Sequence, residues 1–196
     1  VPIPLGQRIP GSVHSVSCSL PTMHAVRGYE EKQPDVMRHL SSGYPRFVVH
    51  PFLQQLAQHL AEKHGLTGQR VWLTSSARMA DELAAHLGAS HVTRFHDDAV
   101  QGVAHPEIPE IATRAKTFLQ NIGGFLSSRA AEDELVRRGL LPVAQPEPLA
   151  TGNAEDEIRA ELMPFFAPAQ AGDVLLANSG MNAIYAAFRA SGELQA

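Results

Sequence analysis

The residues best suited to chemistry are Asn178-Ser179-Gly180-Met181, which follow the apolar run Val174-Leu175-Leu176 and lead into a stretch patterned as a helix. A strand that turns into a helix at such a sequence presents free backbone N–H groups at the positive end of the helix dipole. That arrangement binds anions, phosphate above all. Gly180 lets a ligand approach the backbone closely. The same residues also serve plain helix capping, with Ser179 as the cap.

Other constellations are weaker. His91, His96, Asp97 and Asp98 form the densest group of nitrogen and oxygen donors. On a strand His91 and His96 fall on opposite sides, and no second cluster at ligand spacing accompanies them, so no metal is expected. His59 and His64 stand five apart on a helix and do not share a face. Glu155-Asp156-Glu157 suits the first turn of a helix, where acidic groups favour the dipole. Cys18, the only cysteine, alternates with Ser17 and Ser19 in a strand-like arm and has no evident base beside it. No hydrolase elbow, Walker loop or dinucleotide fingerprint is present.

The elements that must position these residues follow from periodicity and caps. Three prolines and two glycines from Val1 to Gly11 exclude regular structure there. Thr22 caps a short helix to Arg27, and Asp35 starts another to Leu40. Gly43-Tyr44-Pro45-Arg46-Phe47 reads as a turn. Pro51 opens a helix with Phe52, Leu53, Leu56, Leu60 and Ala61 on one stripe, ending at Gly65. Val71 to Thr74 is a strand, Ser75 or Ser76 caps a helix ending at Gly88, and His91 to Phe95 is a further strand. After a loop rich in Asp, Gly and Pro come helices from Glu107 to Leu119 and from Ser127 or Ser128 to Arg138.

A crossover helix is the usual link between parallel strands, so the expected class is α/β, with helix-strand-helix units forming a small, mainly parallel sheet. Beyond a proline-rich linker, the helix from Ala154 to Met163, the strand Val174-Leu175-Leu176 and the helix Gly180 to Ala190 repeat the earlier unit. One constant offset pairs Val71 with Val174, Leu73 with Leu176, Ser76 with Ser179 and Ala80 with Ala183. Duplication and a shared architectural demand both explain the pairing. Only the later copy has glycine at the turn; the earlier has Ser76-Ala77-Arg78.

At 196 residues, 44% hydrophobic and 18% charged, the chain reads as folded, and its net charge of -4 without a basic stripe argues against nucleic acid. No apolar run approaches the ~20 residues that span a bilayer, and no secretory layout opens the sequence. The lone cysteine suits a reducing compartment, which makes the cytoplasm the expected location.

The segment Leu175 to Ile184 resembles the Ser-Gly-Met turn with which cystathionine gamma-synthases and their relatives hold the phosphate of pyridoxal phosphate (PLP). Three further stretches resemble the divergent, fungal-type branch with a long amino-terminal extension. They are Ser15 to Thr22 with Gly28-Tyr29-Glu30-Glu31, then Gly43 to Phe47, and then Ala115-Lys116 through Gly123 to Glu132. The resemblance implies residues 1-42 as an arm with short helices, 43-140 as an α/β extension domain and 141-152 as a linker. It implies 153-196 as the start of an aspartate-aminotransferase-like (type I) PLP domain.

By the same resemblance Ser179, Gly180 and Met181 bind the cofactor phosphate. Ordinary members add a tyrosine and an arginine from the neighbouring subunit, which implies a homo-oligomer. Tyr44 and Arg46 compete with Arg129 for that role, since an arginine fork grips phosphate through two hydrogen bonds. A turn residue paired with Glu30, or a helix residue on a solvated face, are the alternative readings of the two arginines. The implied reaction joins cysteine to an activated homoserine by γ-replacement, or is a related elimination on a small amino-acid substrate. Lys32, Lys63 and Lys116 read as solvated, so the lysine that would hold the cofactor is expected outside this chain. The chain is then expected to be a truncated, inactive piece of its parent. The alternative is a non-catalytic α/β interaction or oligomerisation module.

Overall fold

The structure, a computed structural model, describes residues 3–40, 49–88, 90, 92–143 and 151–193. It divides into two compact units, Val1–Ala144 and Gln145–Ala196.

The first unit begins with an arm in which β1 (Arg8–Ile9) pairs antiparallel with β2 (Ser17–Cys18). Two short helices follow, α1 (Met23–Glu30) and α2 (Pro34–Met37). Thr22 starts α1 as its cap, its hydroxyl accepting from the Ala25 N–H at 3.1 Å. α3 (Pro51–Lys63) carries proline at its first position, where no N–H is needed, and buries Leu53, Leu56 and Leu60. β3 (Gln69–Thr74) leads through the Ser76 cap into α4 (Ala77–Leu87), and β4 (Thr93–Asp97) follows. β5 (Val100–Pro106), α5 (Pro109–Ile122) and α6 (Ser128–Arg137) complete the unit.

The α/β class holds, but the sheet is antiparallel, not parallel: its order is β3-β5-β4, and β5 pairs antiparallel with both neighbours. The crossover through α4 does leave β3 and β4 pointing the same way. β5, expected as loop, turns back from β4 through a hairpin at Asp98-Ala99, with Asp98 at φ 54°, and slots between them. Its Gly102 and Ala104 look like loop residues in sequence. In space a side chain at Gly102 could not fit, since its Cβ would lie 2.4 Å from the Trp72 carbonyl oxygen. A small residue is what lets the central strand pass beneath Phe95.

Leu73 and Val100 pack with Leu53, Leu56 and Leu60 of α3 and with Ala131 and Leu135 of α6 into the main core. Strand alternation sends Trp72, Thr74, Val103 and His105 to the opposite face. α4 packs on all three strands, and α5 packs on α4. Trp72 Nε1 donates to His105 Nε2 at 2.9 Å, so the buried imidazole carries its proton on Nδ1 and donates it to the Pro106 carbonyl at 2.6 Å.

The second unit holds α7 (Ala154–Leu162), two single 3-10 turns and α8 (Gly180–Glu193). Val174 to Leu176, expected as a strand, pairs with no strand among the described residues. A strand forms only where a neighbour takes up its backbone groups. Here the Val174 carbonyl accepts instead from Arg159 Nε at 3.2 Å.

One ion cluster ties together the C-terminal ends of α3, β4 and α6. Asp97, buried at the end of β4, receives Lys63 Nζ at 2.7 Å and His64 Nε2 at 2.6 Å on one oxygen. Arg138 Nη2 lies 2.7 Å from the other oxygen as a charge contact without hydrogen-bond alignment, and also donates to Glu134 at 3.0 Å. Burial alone would raise the Asp97 carboxyl, but hydrogen bonds from Lys63 and His64 and the charge of Arg138 outweigh it and hold the group well below the usual carboxylate range. Its folded value is thus below the ordinary 3.8, so the contribution is complete above that pH and is lost as pH falls beneath it. Asp97→Asn is expected to cost about 3 kcal/mol in urea unfolding at neutral pH. The gap between variant and parent should close as the pH drops below the carboxylate range.

Candidate functional site

In the second unit the predicted turn is intact. Ser179 Oγ accepts from the Asn182 N–H at 3.2 Å, which satisfies the third residue of α8. Gly180 and Met181 are the first two, and an α-helix offers their N–H groups no acceptor of its own. Ser179 accepts with its oxygen, so its proton is available to donate outward. Gly180 is exposed and its backbone does not lie in the left-handed region; a Cβ there would meet nothing within 4 Å. The glycine is therefore not demanded by conformation. It leaves open space beside two N–H groups at the positive end of a helix.

Arg159 positions the segment leading to this turn. It bonds Glu155 and Asp156, each at 3.1 Å, on its own helix while its Nε holds the Val174 carbonyl. The unit is otherwise short of a core: no residue of α7 or α8 is buried. Phe165, Leu175 and Phe188 are 82%, 88% and 76% exposed.

Arg129 lies in the first unit, exposed, in the first turn of α6. Tyr44 and Arg46 lie outside the described residues. Thus Ser179, Gly180 and Met181 stand together as one turn, and Arg129 belongs to the other unit. Lys63 is committed to Asp97, Lys32 sits 4.4 Å over the Tyr29 ring, and Lys116 is exposed. Among the described residues no three side chains are grouped to hold a metal.

Sequence reasoning missed a buried polar clasp beside Arg129. His14, from the arm, places Nδ1 2.9 Å from Ser128 Oγ and Nε2 3.0 Å from Glu132 Oε2. His14 and Glu132 are 6% and 3% exposed. The group fastens the arm to α6 through both ring nitrogens. His50 caps α3 next to it, its ring 5.9 Å from that of His14. The 118-residue separation of His14 from Glu132 leaves no spacing signal to find.

A recess of about 710 Å³ runs along the outer edge of β3, floored by Leu53, Ala57 and Val71. Arg70 and Glu107, bonded at 2.9 Å, stand at its rim. Arg129 does not line it.

Comparison with known proteins supplies the class. The chain is 36% identical over 187 residues, 95% of its length, to the L-2-amino-4-chloropent-4-enoate dechlorinase/desaturase of Streptantibioticus cattleyicolor. It is 43% identical over 77 residues to a putative cystathionine gamma-synthase of Saccharomyces cerevisiae, covering 39% of this chain and 12% of that protein. It is 44% identical over 64 residues to the cystathionine gamma-synthase of Neurospora crassa, covering 32% of this chain and 10% of that protein. The chain spans only 37% of the length of the dechlorinase/desaturase. No family model matches it, and no solved structure matches it significantly. The relatives are enzymes that act on amino acids. The chain is a homologue of the cystathionine gamma-synthase-like enzymes. No helix among the described residues is long and apolar enough to cross a membrane.

The clasp and the exposed arginine separate by mutation. Glu132→Ala strands the buried His14 ring and should cost about 2 kcal/mol in denaturant unfolding. Arg129→Ala, on the surface, should change stability by less than about 1 kcal/mol.

Proposed function

We propose that this chain supplies the phosphate end of a PLP site in an enzyme of the cystathionine gamma-synthase type. The observation that carries the reading is the first turn of α8, where the Ser179 cap satisfies Asn182 and leaves the Gly180 and Met181 N–H groups to an anion. An alignment reaching over 95% of the chain necessarily includes this turn. The residues present fit the group: two backbone donors, one hydroxyl proton and open space above a glycine.

In this reading the Gly180 and Met181 N–H groups and the Ser179 hydroxyl would hold the cofactor phosphate. Arg159 keeps the turn in place through the Val174 carbonyl. An arginine completes the charge balance, either Arg129 or Arg46 beside Tyr44, delivered by a neighbouring subunit of a homo-oligomer. The cofactor, when bound, supplies an electron sink for the substrate's carbon acid chemistry. None of the three lysines of this chain serves to hold it. The 196 residues alone are therefore inactive, and the first unit is a scaffold with Ala77-Arg78 where the cradle has Gly180-Met181.

The substrate is an amino acid with a leaving group on its γ-carbon. The relative that aligns with most of the chain is named for an amino acid chlorinated at its fourth carbon, whereas the synthases align with 32–39% of it. That coverage favours elimination over γ-replacement with cysteine. Gly180→Asp sets a carboxylate into the cradle and should abolish PLP binding in the full-length gene product, read by isothermal titration with circular dichroism unchanged. Undiminished affinity would overturn the assignment.

A further inference from the structure

The outer edge of β3 is only partly used. Leu73 turns its carbonyl away from β5 and accepts from the Leu126 N–H at 3.1 Å, and Phe125 bridges Thr74 antiparallel, so a fourth strand begins at this edge. It goes no further, because Ser127 caps α6 and the chain turns into that helix. A strand residue points its N–H and C=O to the same side, and the side alternates along the chain. Val71, two residues before Leu73, therefore aims both groups outward as well, and neither has a partner among the described residues. They open into the recess of about 710 Å³.

The walls of the recess define what fits. α3 lines one side with Leu53, Ala57 and Ala61, spaced about one turn apart, so this apolar wall runs for about 12 Å. That is the length of about four extended residues, too long for a single amino acid, and the small alanines leave a hollow for side chains. The opposite wall carries Trp72, Arg70, Glu107 and Lys116. Arg70 and Glu107 neutralise each other as a bonded pair, whereas Lys116 is exposed and makes no ion pair among the described residues. That wall is therefore net positive. We propose that the outer edge of β3 binds an extended peptide segment of a partner protein as an added strand, with apolar and acidic residues in alternation. The segment's backbone completes the ladder at Val71. Its successive side chains point to opposite faces, the apolar ones onto α3 and an acidic one toward Lys116.

The test is an amide NMR titration of the 196-residue chain with two synthetic peptides, acetyl-Val-Glu-Val-Glu-Val-amide and acetyl-Val-Lys-Val-Lys-Val-amide. The glutamate peptide is expected to shift the Val71 amide signal and slow its solvent exchange, and to do so at several-fold lower concentration than the lysine peptide. Lys116→Glu, a surface change, should reverse that preference. Ala57→Trp, which fills the hollow, should abolish binding of both peptides with circular dichroism unchanged. No response at Val71 up to millimolar peptide overturns the proposal, as does equal binding of the two peptides or a preference that survives Lys116→Glu. A doubled molecular mass with the Val71 amide already protected in the absence of peptide also overturns it, by making a second copy the occupant.

Discussion

The first unit depends on one steric condition, that the central strand β5 fits between β3 and β4. At Gly102 the neighbouring strand's Trp72 carbonyl and the Phe95 ring leave no room for a Cβ. Once that strand is in place, its Val100 joins Leu73 in the core beneath α3 and α6, and its His105 pairs with Trp72 on the far side. The hairpin that feeds β5 also carries Asp97, the buried carboxylate on which the ends of α3 and α6 converge. Packing and hydrogen bonding thus meet on one seven-residue strand, with the charge cluster at the start of the hairpin that feeds it.

The two units are built on different principles. The first buries its apolar residues and satisfies its buried histidines internally. The second has helices with good caps and no buried residue, and it exposes Phe165, Leu175 and Phe188. Its order comes from local bonds, Asn153 capping α7, Ser179 capping α8 and Arg159 spanning between α7 and the segment before the turn. A helix end held by local bonds and left open at its first two N–H groups is suited to receiving a ligand.

Legibility followed the range of the interactions. Helix starts are local: Thr22 and Ser179 were readable as caps, Ser76 as one of a pair with Ser75 and Ser127 as one of a pair with Ser128, and these four make the cap bonds. Even the repeat offset is kept, since Ser76 caps Met79 as Ser179 caps Asn182. β5 was not readable, because the small residues that a crowded central strand requires are the same that mark a loop. Parallel pairing was inferred from the crossover alone, and the missed strand reversed it. Val174 to Leu176 has strand composition without a partner strand among the described residues, and composition says nothing about partners. The clasp of His14 with Glu132 and the Asp97 cluster join residues distant in sequence, where no pattern reaches. The Ser179-Gly180-Met181 helix start was legible because the groups that form it lie within four residues.

The measurement that bears most directly on this account is an experimental structure of the full-length gene product with PLP bound. The account predicts the cofactor phosphate within hydrogen-bond distance of the Gly180 and Met181 backbone nitrogens and the Ser179 hydroxyl. A phosphate bound elsewhere, with the first turn of α8 facing only water or protein, would contradict it.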